Sequence, residues 1–370
     1  MGAEKRLRVA IIHYWLVGMR GGERVLEQLC QMYPNADIFT HVVDLNRISS
    51  IILRHDIHTT FIAKLPFATR HYQKYLPLMP RALEQLDLDA YDLVISCEAG
   101  PAKGVITRPD AIHLTYCYSP MRYLWDQYPQ YHAAGGFGAR VVMPLFAPSL
   151  RQWDMTSAAR PDRIMAVSSY IKARIAKSWR RDATVVYPPV DTTLFAPVSD
   201  ISDEYLWAGQ LVPYKRPDLA VDAFTRSGRK LHVIGDGAML AQLQARAGPT
   251  IRFTRRADFA SLRAAYASAR ALVFTAEEDF GLIPVEVMAS GRPVLAFGRG
   301  GAQETVVGGE TGLFYDHKTI ESLLDGLDRL EAWLPQFDPM AAVLRAQAFS
   351  AERFRSAFTA VLDEAIADRL

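Results

Sequence analysis

Residues 271–291 constrain the fold more than any other stretch of the chain. Ala271-Leu272-Val273-Phe274-Thr275 is an unbroken apolar run with β-branched members, the pattern of a strand covered on both faces of a parallel sheet. An acidic loop, 276–280, follows it, and then Gly281-Leu282-Ile283-Pro284-Val285-Glu286. Gly281 permits a tight turn. Pro284 suits the first turn of a helix, where its missing N–H would have no partner. The stretch therefore reads strand, acidic loop, helix N-terminus. Such an end offers N–H groups and the positive pole of the helix dipole to an anion. Glu278 and Glu286 flank it, eight positions apart. A carboxylate accepts hydrogen bonds and cannot donate, so it suits neutral hydroxyls rather than phosphate. Amides for a diphosphate between two acids for sugar hydroxyls is one reading. Acids that merely complement the dipole is the other.

The same alternation runs through the whole chain. Strand patterns fall at 7–12, 36–41, 56–61, 91–96, 111–117, 162–168 and 183–187, with helical periodicity between several of them, as at 21–30 and 169–179. Phe137 to Met155 is apolar at helical spacing. A proline-rich stretch at 188–197 has the composition of a linker. The pattern then restarts with strands at 204–208, 230–237, 250–254, 271–275, 292–297 and 311–315, and an amphipathic helix at 349–370. At 370 residues the chain is long for one core. The expected fold class is α/β, two doubly wound Rossmann-like domains facing a cleft, 1–190 and 191–348, followed by the amphipathic helix 349–370.

Charge narrows the partners. The net charge is only +2, which gives no general case for nucleic acid. Residues 1–190 hold 23 basic against 16 acidic side chains, or +7, and the remainder 19 against 24, or −5. A basic half points towards an anionic partner. Segment 64–81 carries Lys64, Arg70, Lys74 and Arg81, no acid, and interleaved aromatic and aliphatic groups. That composition suits an anionic membrane surface; a solvated helix packed on the sheet is the alternative. Cys30, Cys97 and Cys117 sit in apolar contexts without metal-ligand spacing and read as reduced core residues. No run approaches eighteen apolar residues, and residues 1–6 lack the apolar core of a signal peptide.

From Glu278 through Val294 the sequence resembles the Glu-x7-Glu signature of glycosyltransferase family 4, the retaining GT-B enzymes that use nucleotide sugars. The resemblance implies residue roles. Glu286 would hold the nucleotide ribose. Phe280, Gly281, Leu282 and Ile283 would line the donor, Gly281 and Leu282 through their amides, and Glu278 would contact the transferred sugar. Gly209-Gln210 and Lys215-Arg216 resemble the family's Gly-Arg-x4-Lys diphosphate clamp, with Lys215 matching and Gln210 standing where the family has arginine. Arg216 or Arg299 is a candidate to restore that charge. Phe253, Thr254 and Arg255 would lie near the nucleobase, and Gly21 and Gly22 near the diphosphate and acceptor. Residues 117–122 are similar to a Cys-His-Thr/Ser-Pro-Met-Arg segment of bacterial polysaccharide mannosyltransferases, but Tyr118 replaces the histidine. A tyrosine can bond a sugar hydroxyl but takes no proton near neutral pH. Arg122 is a candidate for phosphate or an acidic acceptor.

The family implies a retaining transfer, leaning to GDP-mannose as donor, with a UDP-sugar open, and to a polyprenyl-diphosphate-linked saccharide as acceptor in bacterial surface polysaccharide synthesis. Glu278, Tyr118 and Lys215 are the catalytic candidates. No cofactor is expected beyond the nucleotide-sugar co-substrate, and no metal, since amides and cations already supply positive potential. The expected location is cytoplasmic, peripheral to the inner face of the plasma membrane. A donor-binding but inactive scaffold, motivated by Gln210 and Tyr118, and an epimerase or hydrolase of the same fold are the alternatives.

Overall fold

A computed structural model describes residues 7–134 and 136–369. The chain forms two compact units: one takes the chain up to Tyr187 with the tail from Phe354, the other Pro188–Arg353. In the first, strands β1 (Val9–His13), β2 (Asp37–Thr40), β3 (Ile57–Thr59), β4 (Leu93–Glu98), β5 (Ile112–Cys117), β6 (Arg163–Ala166) and β7 (Thr184–Val185) form one sheet. Its order is β3-β2-β1-β4-β5-β6-β7, every pair parallel. The central strands β1, β4 and β5 are buried along their whole length, whereas β3 and β7 at the edges are short and partly exposed. Short edges leave little unpaired backbone for another chain to join.

The second unit repeats the plan with β8 (Tyr205–Ala208), β9 (Leu231–Ile234), β10 (Ile251–Thr254), β11 (Leu272–Phe274), β12 (Val294–Phe297) and β13 (Gly312–Tyr315), ordered β10-β9-β8-β11-β12-β13 and again parallel. These are two parallel α/β sheets of seven and six strands. Each expected strand is present, within a few residues at its ends. In each sheet the order reverses once, between β1 and β4 and between β8 and β11. Helices on either side of such a switch diverge, leaving a crevice at the carboxyl ends of the strands. Those two places are where a site should be sought.

The helix Ala351–Ala367 supplies the tail of the first unit. Phe354 packs edge-on to Tyr116 at 5.5 Å between ring centres, and Phe358 to Tyr33 at 6.5 Å. Segment 64–81 is broken rather than one amphipathic helix. It passes through Ala68–His71, Tyr72–Leu78 and Met79–Glu84, with Pro77 inside and Phe67 left-handed at φ 52. Among the described residues no helix is long and apolar enough to cross a membrane. All three cysteines are buried.

Beneath β4 lies a charged core. Lys103 is fully buried; its ammonium pairs with Asp154 Oδ1 and lies 3.4 Å from Glu98 Oε1. Its backbone N–H donates to Glu98 Oε2 at 2.8 Å. Trp125 and Trp179 donate their indole N–H groups to Asp154 Oδ2 at 2.7 and 2.8 Å, and the ammonium sits 4.2 Å from the centre of a Trp179 ring. Burial pushes the Glu98 carboxyl up to about 7, against the pull of Lys103 and with Asp154 adding to the rise. An acid whose folded pKa is raised stabilises the fold at low pH, and that contribution is lost as pH climbs from about 4.5 to about 7. Buried His41 and His113, lowered to about 3 and about 4 by burial, work the other way below pH 6.5. The comparison with Glu98→Gln cancels them. The variant's stability relative to wild type should grow by about 1–3 kcal/mol between pH 5 and pH 8. Urea unfolding at the two pH values measures it; a flat difference would mean that Glu98 is ionised throughout.

Candidate functional site

In the second unit the loops after β8 and β11 meet at the switch. Thr275, which ends the apolar run of β11, is buried; its hydroxyl accepts from Trp207 Nε1 at 2.9 Å and lies 2.7 and 3.0 Å from the Lys215 and Arg216 carbonyls. The turn it holds is an uncommon one, with Arg216 at φ 54 immediately before the helix Pro217–Ser227. This fixes where the Lys215 side chain leaves the backbone. Its ammonium lies 2.6 Å from Glu278 Oε1, both side chains mostly buried at 14% and 18% exposure. Gly209 runs alongside; a Cβ there would lie 3.6 Å from Lys215 Nζ.

The acidic loop is held from its other side by glycines. Gly301 N–H donates to the Glu278 carbonyl at 2.8 Å, and a Cβ on Gly301 would come within 2.3 Å of Phe280 Cα. Only glycine lets these backbones approach so closely. Glu277 pairs with Lys318 at 2.8 Å. Gly281, at φ 91, caps the helix Leu282–Ala289, whose first residues Leu282 and Ile283 are half-buried. Glu286 is also half-buried and accepts a hydrogen bond from Tyr266; burial, then this carboxylate, drive the Tyr266 phenol far above its ordinary range.

Gly209, Lys215, Glu278 and Gly281 are thus gathered at one switch point. Other candidates fall elsewhere. The Phe280 ring is 4% exposed and packs edge-on against Phe349 at 5.4 Å, so its side chain serves the core. Arg216 is drawn onto Asp218 at 3.0 Å, which directs its guanidinium along its own helix rather than into the vacancy left by Gln210. Gln210 and Arg299 are exposed. Phe253, Thr254 and Arg255 lie at the end of β10, separated from β8 by β9. Phe253 packs on the core, Thr254 bonds His232 Nε2 at 2.8 Å, and Arg255 pairs with Asp236 at 3.0 Å.

In the first unit Gly21 and Gly22 open the helix Gly21–Met32 behind β1. Tyr118, just past β5, donates its hydroxyl to the Gly22 carbonyl at 2.9 Å. A Cβ on Gly22 would lie 2.9 Å from Tyr14 Oη and 3.1 Å from Tyr118 Cε2, so glycine is needed for the tyrosines to close over the turn. Burial, then neighbouring Cys97 and Tyr14, push the Tyr118 phenol far up; it keeps its proton. Sequence reasoning missed the pair beneath it, His13 and Glu23, both buried and 3.7 Å apart. Burial alone would raise the Glu23 carboxyl, but His13 and the backbone N–H groups hold it below its ordinary range. Glu23 also accepts from the Arg20 N–H at 2.8 Å, and an acid at the third helical position after a glycine turn was the available signal. Arg122 lines a separate cavity of about 920 Å³ with Lys74.

Two family profiles match the chain: Glycosyltransferase Family 4 over residues 19–194, and Glycosyl transferases group 1 over 202–332. A GDP-mannose-dependent alpha-(1-6)-phosphatidylinositol monomannoside mannosyltransferase of Mycolicibacterium smegmatis is 26% identical over 53% of this chain and 66% of its own. A GDP-mannose-dependent alpha-mannosyltransferase of the same organism is 30% identical over 51% of this chain and 53% of its own. The chain spans about half to two thirds of the length of the curated relatives it matches. Among solved structures, Anabaena Alr3699/HepE in complex with UDP superposes with a TM-score of 0.70 at 15% identity, covering 97% of this chain and 100% of that one. Sequence profiles across both units and a shared fold along nearly the whole length agree: the chain belongs to the group 1, family 4 glycosyltransferases of GT-B fold.

Proposed function

We propose that the protein is a retaining hexosyltransferase that takes mannose from GDP-mannose and places it on a lipid-linked saccharide in surface-polysaccharide synthesis. The second unit, with residues 191–348, would bind the donor, and the first, with residues 1–190 and the tail 349–370, the acceptor. One observation carries this reading: Lys215 and Glu278 side by side at the sheet's switch point, next to the N-terminus of Leu282–Ala289. When the bond to the leaving diphosphate breaks, negative charge grows on its oxygens. Lys215 and the first helical N–H groups are fixed donors for that charge, set before the reaction begins. Glu278, an acceptor only, would meet hydroxyls of the transferred sugar, and Glu286 those of the ribose. Tyr118, tied to Gly22 within the first unit, would offer a sugar a hydroxyl and take no proton. The acid-free segment 64–81 would rest against an anionic membrane surface.

GDP is favoured over UDP because both mannosyltransferase relatives are named as GDP-mannose-dependent. The structural neighbour holding UDP keeps the other base in the test. Wild-type protein is incubated with labelled GDP-mannose or UDP-glucose, with and without a polyprenyl-diphosphate saccharide, and Glu286→Ala runs in parallel. The expected result is acceptor-dependent transfer from GDP-mannose that falls at least 100-fold in Glu286→Ala. Near-normal turnover by that variant would remove the ribose assignment. Nucleotide binding without any transfer would favour a scaffold, and conversion of the donor without acceptor an epimerase or hydrolase.

A further inference from the structure

The cavity in the first unit differs in chemistry from the donor site. It opens beyond the carboxyl ends of β1, β4 and β5, where Trp15, Ala99 and Tyr123 line it. Leu76, Phe146, Ala147 and Leu150 add aliphatic and aromatic surface to the wall. Its volume of about 920 Å³ lies in the range of small-molecule sites, about 300–1,000 Å³. A saccharide bound there would leave most of its hydroxyls without partners, which is costly. A hydrocarbon would not. Besides the Trp15, Tyr123 and Tyr131 rings, the polar side chains on the lining are Gln73, Lys74 and Arg122, two of them cations and none an acid. Glu98, next in sequence to lining residue Ala99, is buried against Lys103, as is Asp154. The Tyr123 hydroxyl is buried with no hydrogen-bond partner among the described residues.

The rim is apolar too. Tyr131 and Phe146 are exposed at 41% and 43% while lining the cavity, and Leu78 and Leu145, next in sequence to lining residues, are exposed as well. Phe67 stands 74% exposed in the same acid-free segment that supplies Lys74. Large apolar side chains held in water around an apolar opening mark a binding surface. With two cations on the same lining, the occupant is amphiphilic and anionic.

We propose that this cavity binds a single hydrocarbon chain of a lipid acceptor, with the phosphate at the head of that chain against Lys74 and Arg122. It deepens the transferase reading by placing the acceptor's lipid, yet it can be tested without sugar transfer. Trp15 on the wall supplies the signal: intrinsic fluorescence is followed while farnesyl phosphate, farnesol, inorganic phosphate or phosphatidylglycerol micelles are titrated in. Saturable binding of farnesyl phosphate is expected, with farnesol at least 10-fold weaker and inorganic phosphate without effect. Ala147→Phe, which fills the cavity, should weaken farnesyl phosphate at least 10-fold while leaving the thermal shift produced by GDP unchanged. If Ala147→Phe fails to fold, Phe146→Glu, which places an acid at the exposed rim, should do the same. Undiminished binding in a folded variant, no saturation at all, or equal binding of phosphatidylglycerol would overturn the proposal. Lipid binding without transfer from any nucleotide sugar would instead retain this site and reject the transferase.

Discussion

Replacing Lys103 with methionine will destabilise the first unit by about 3–5 kcal/mol, the usual cost of removing one partner from a buried ion pair. The ammonium is fully buried between two carboxylates, one of them already supplied by two tryptophan N–H groups. Without it, Asp154 is left as an uncompensated buried charge and Glu98 is driven to take up a proton, because the medium between them screens poorly. Methionine fills similar space, so the loss is electrostatic rather than a cavity effect. The change is read as a lower urea midpoint with an unchanged slope. The triple variant Lys103→Met, Glu98→Gln, Asp154→Asn should regain most of it, because neutral amides keep the shape and some hydrogen bonds. A cost below about 1 kcal/mol for the single variant would place the cluster in the class of exposed pairs.

That cluster also marks where the sequence stops being readable. Strands announce themselves because strands of a parallel sheet, buried on both faces, need continuous apolar runs, and β11 and β12 are such runs. The acidic loop and its helix are legible for the same local reason: Gly281 and Pro284 each have a backbone position that suits them. Lys103 has no such signature. Its partner Asp154 is 51 residues away, and a lone loop lysine reads as a solvated charge. The Tyr118–Gly22 bond spans 96 residues and belongs to topology, not spacing. Arg216, a candidate to restore the charge that Gln210 lacks, is paired in the structure with Asp218, two residues on, a contact the sequence does not announce. Thr275 reads as the end of a strand; its anchoring of the Lys215 turn comes from β8 and β11 lying side by side.

The Lys215–Glu278 contact makes the two residues' variants diverge in a way that tests the proposed donor site. At 2.6 Å, and mostly shielded from water, the two charges are already in contact before any ligand arrives. A diphosphate entering beside it must compete with Glu278 for the same ammonium. Glu278→Gln removes that competitor and the like-charge repulsion of the incoming phosphates, while keeping a hydrogen-bonding group of the same shape. GDP should therefore bind this variant no more weakly than wild type, and up to about 10-fold more tightly for a gain of about 1.4 kcal/mol. Transfer from GDP-mannose should nevertheless fall about 100-fold, since an amide accepts less strongly from the sugar hydroxyls where charge develops. Lys215→Met should act on both quantities. GDP binding weakens by about 1.5–3 kcal/mol, the worth of a charged hydrogen bond, and kcat falls by about 100–1,000-fold with loss of the proposed donor to the leaving group. Calorimetry with GDP and steady-state transfer assays separate the two patterns. Equal loss of GDP affinity in both variants would mean that the pair is a structural brace, with the diphosphate bound elsewhere.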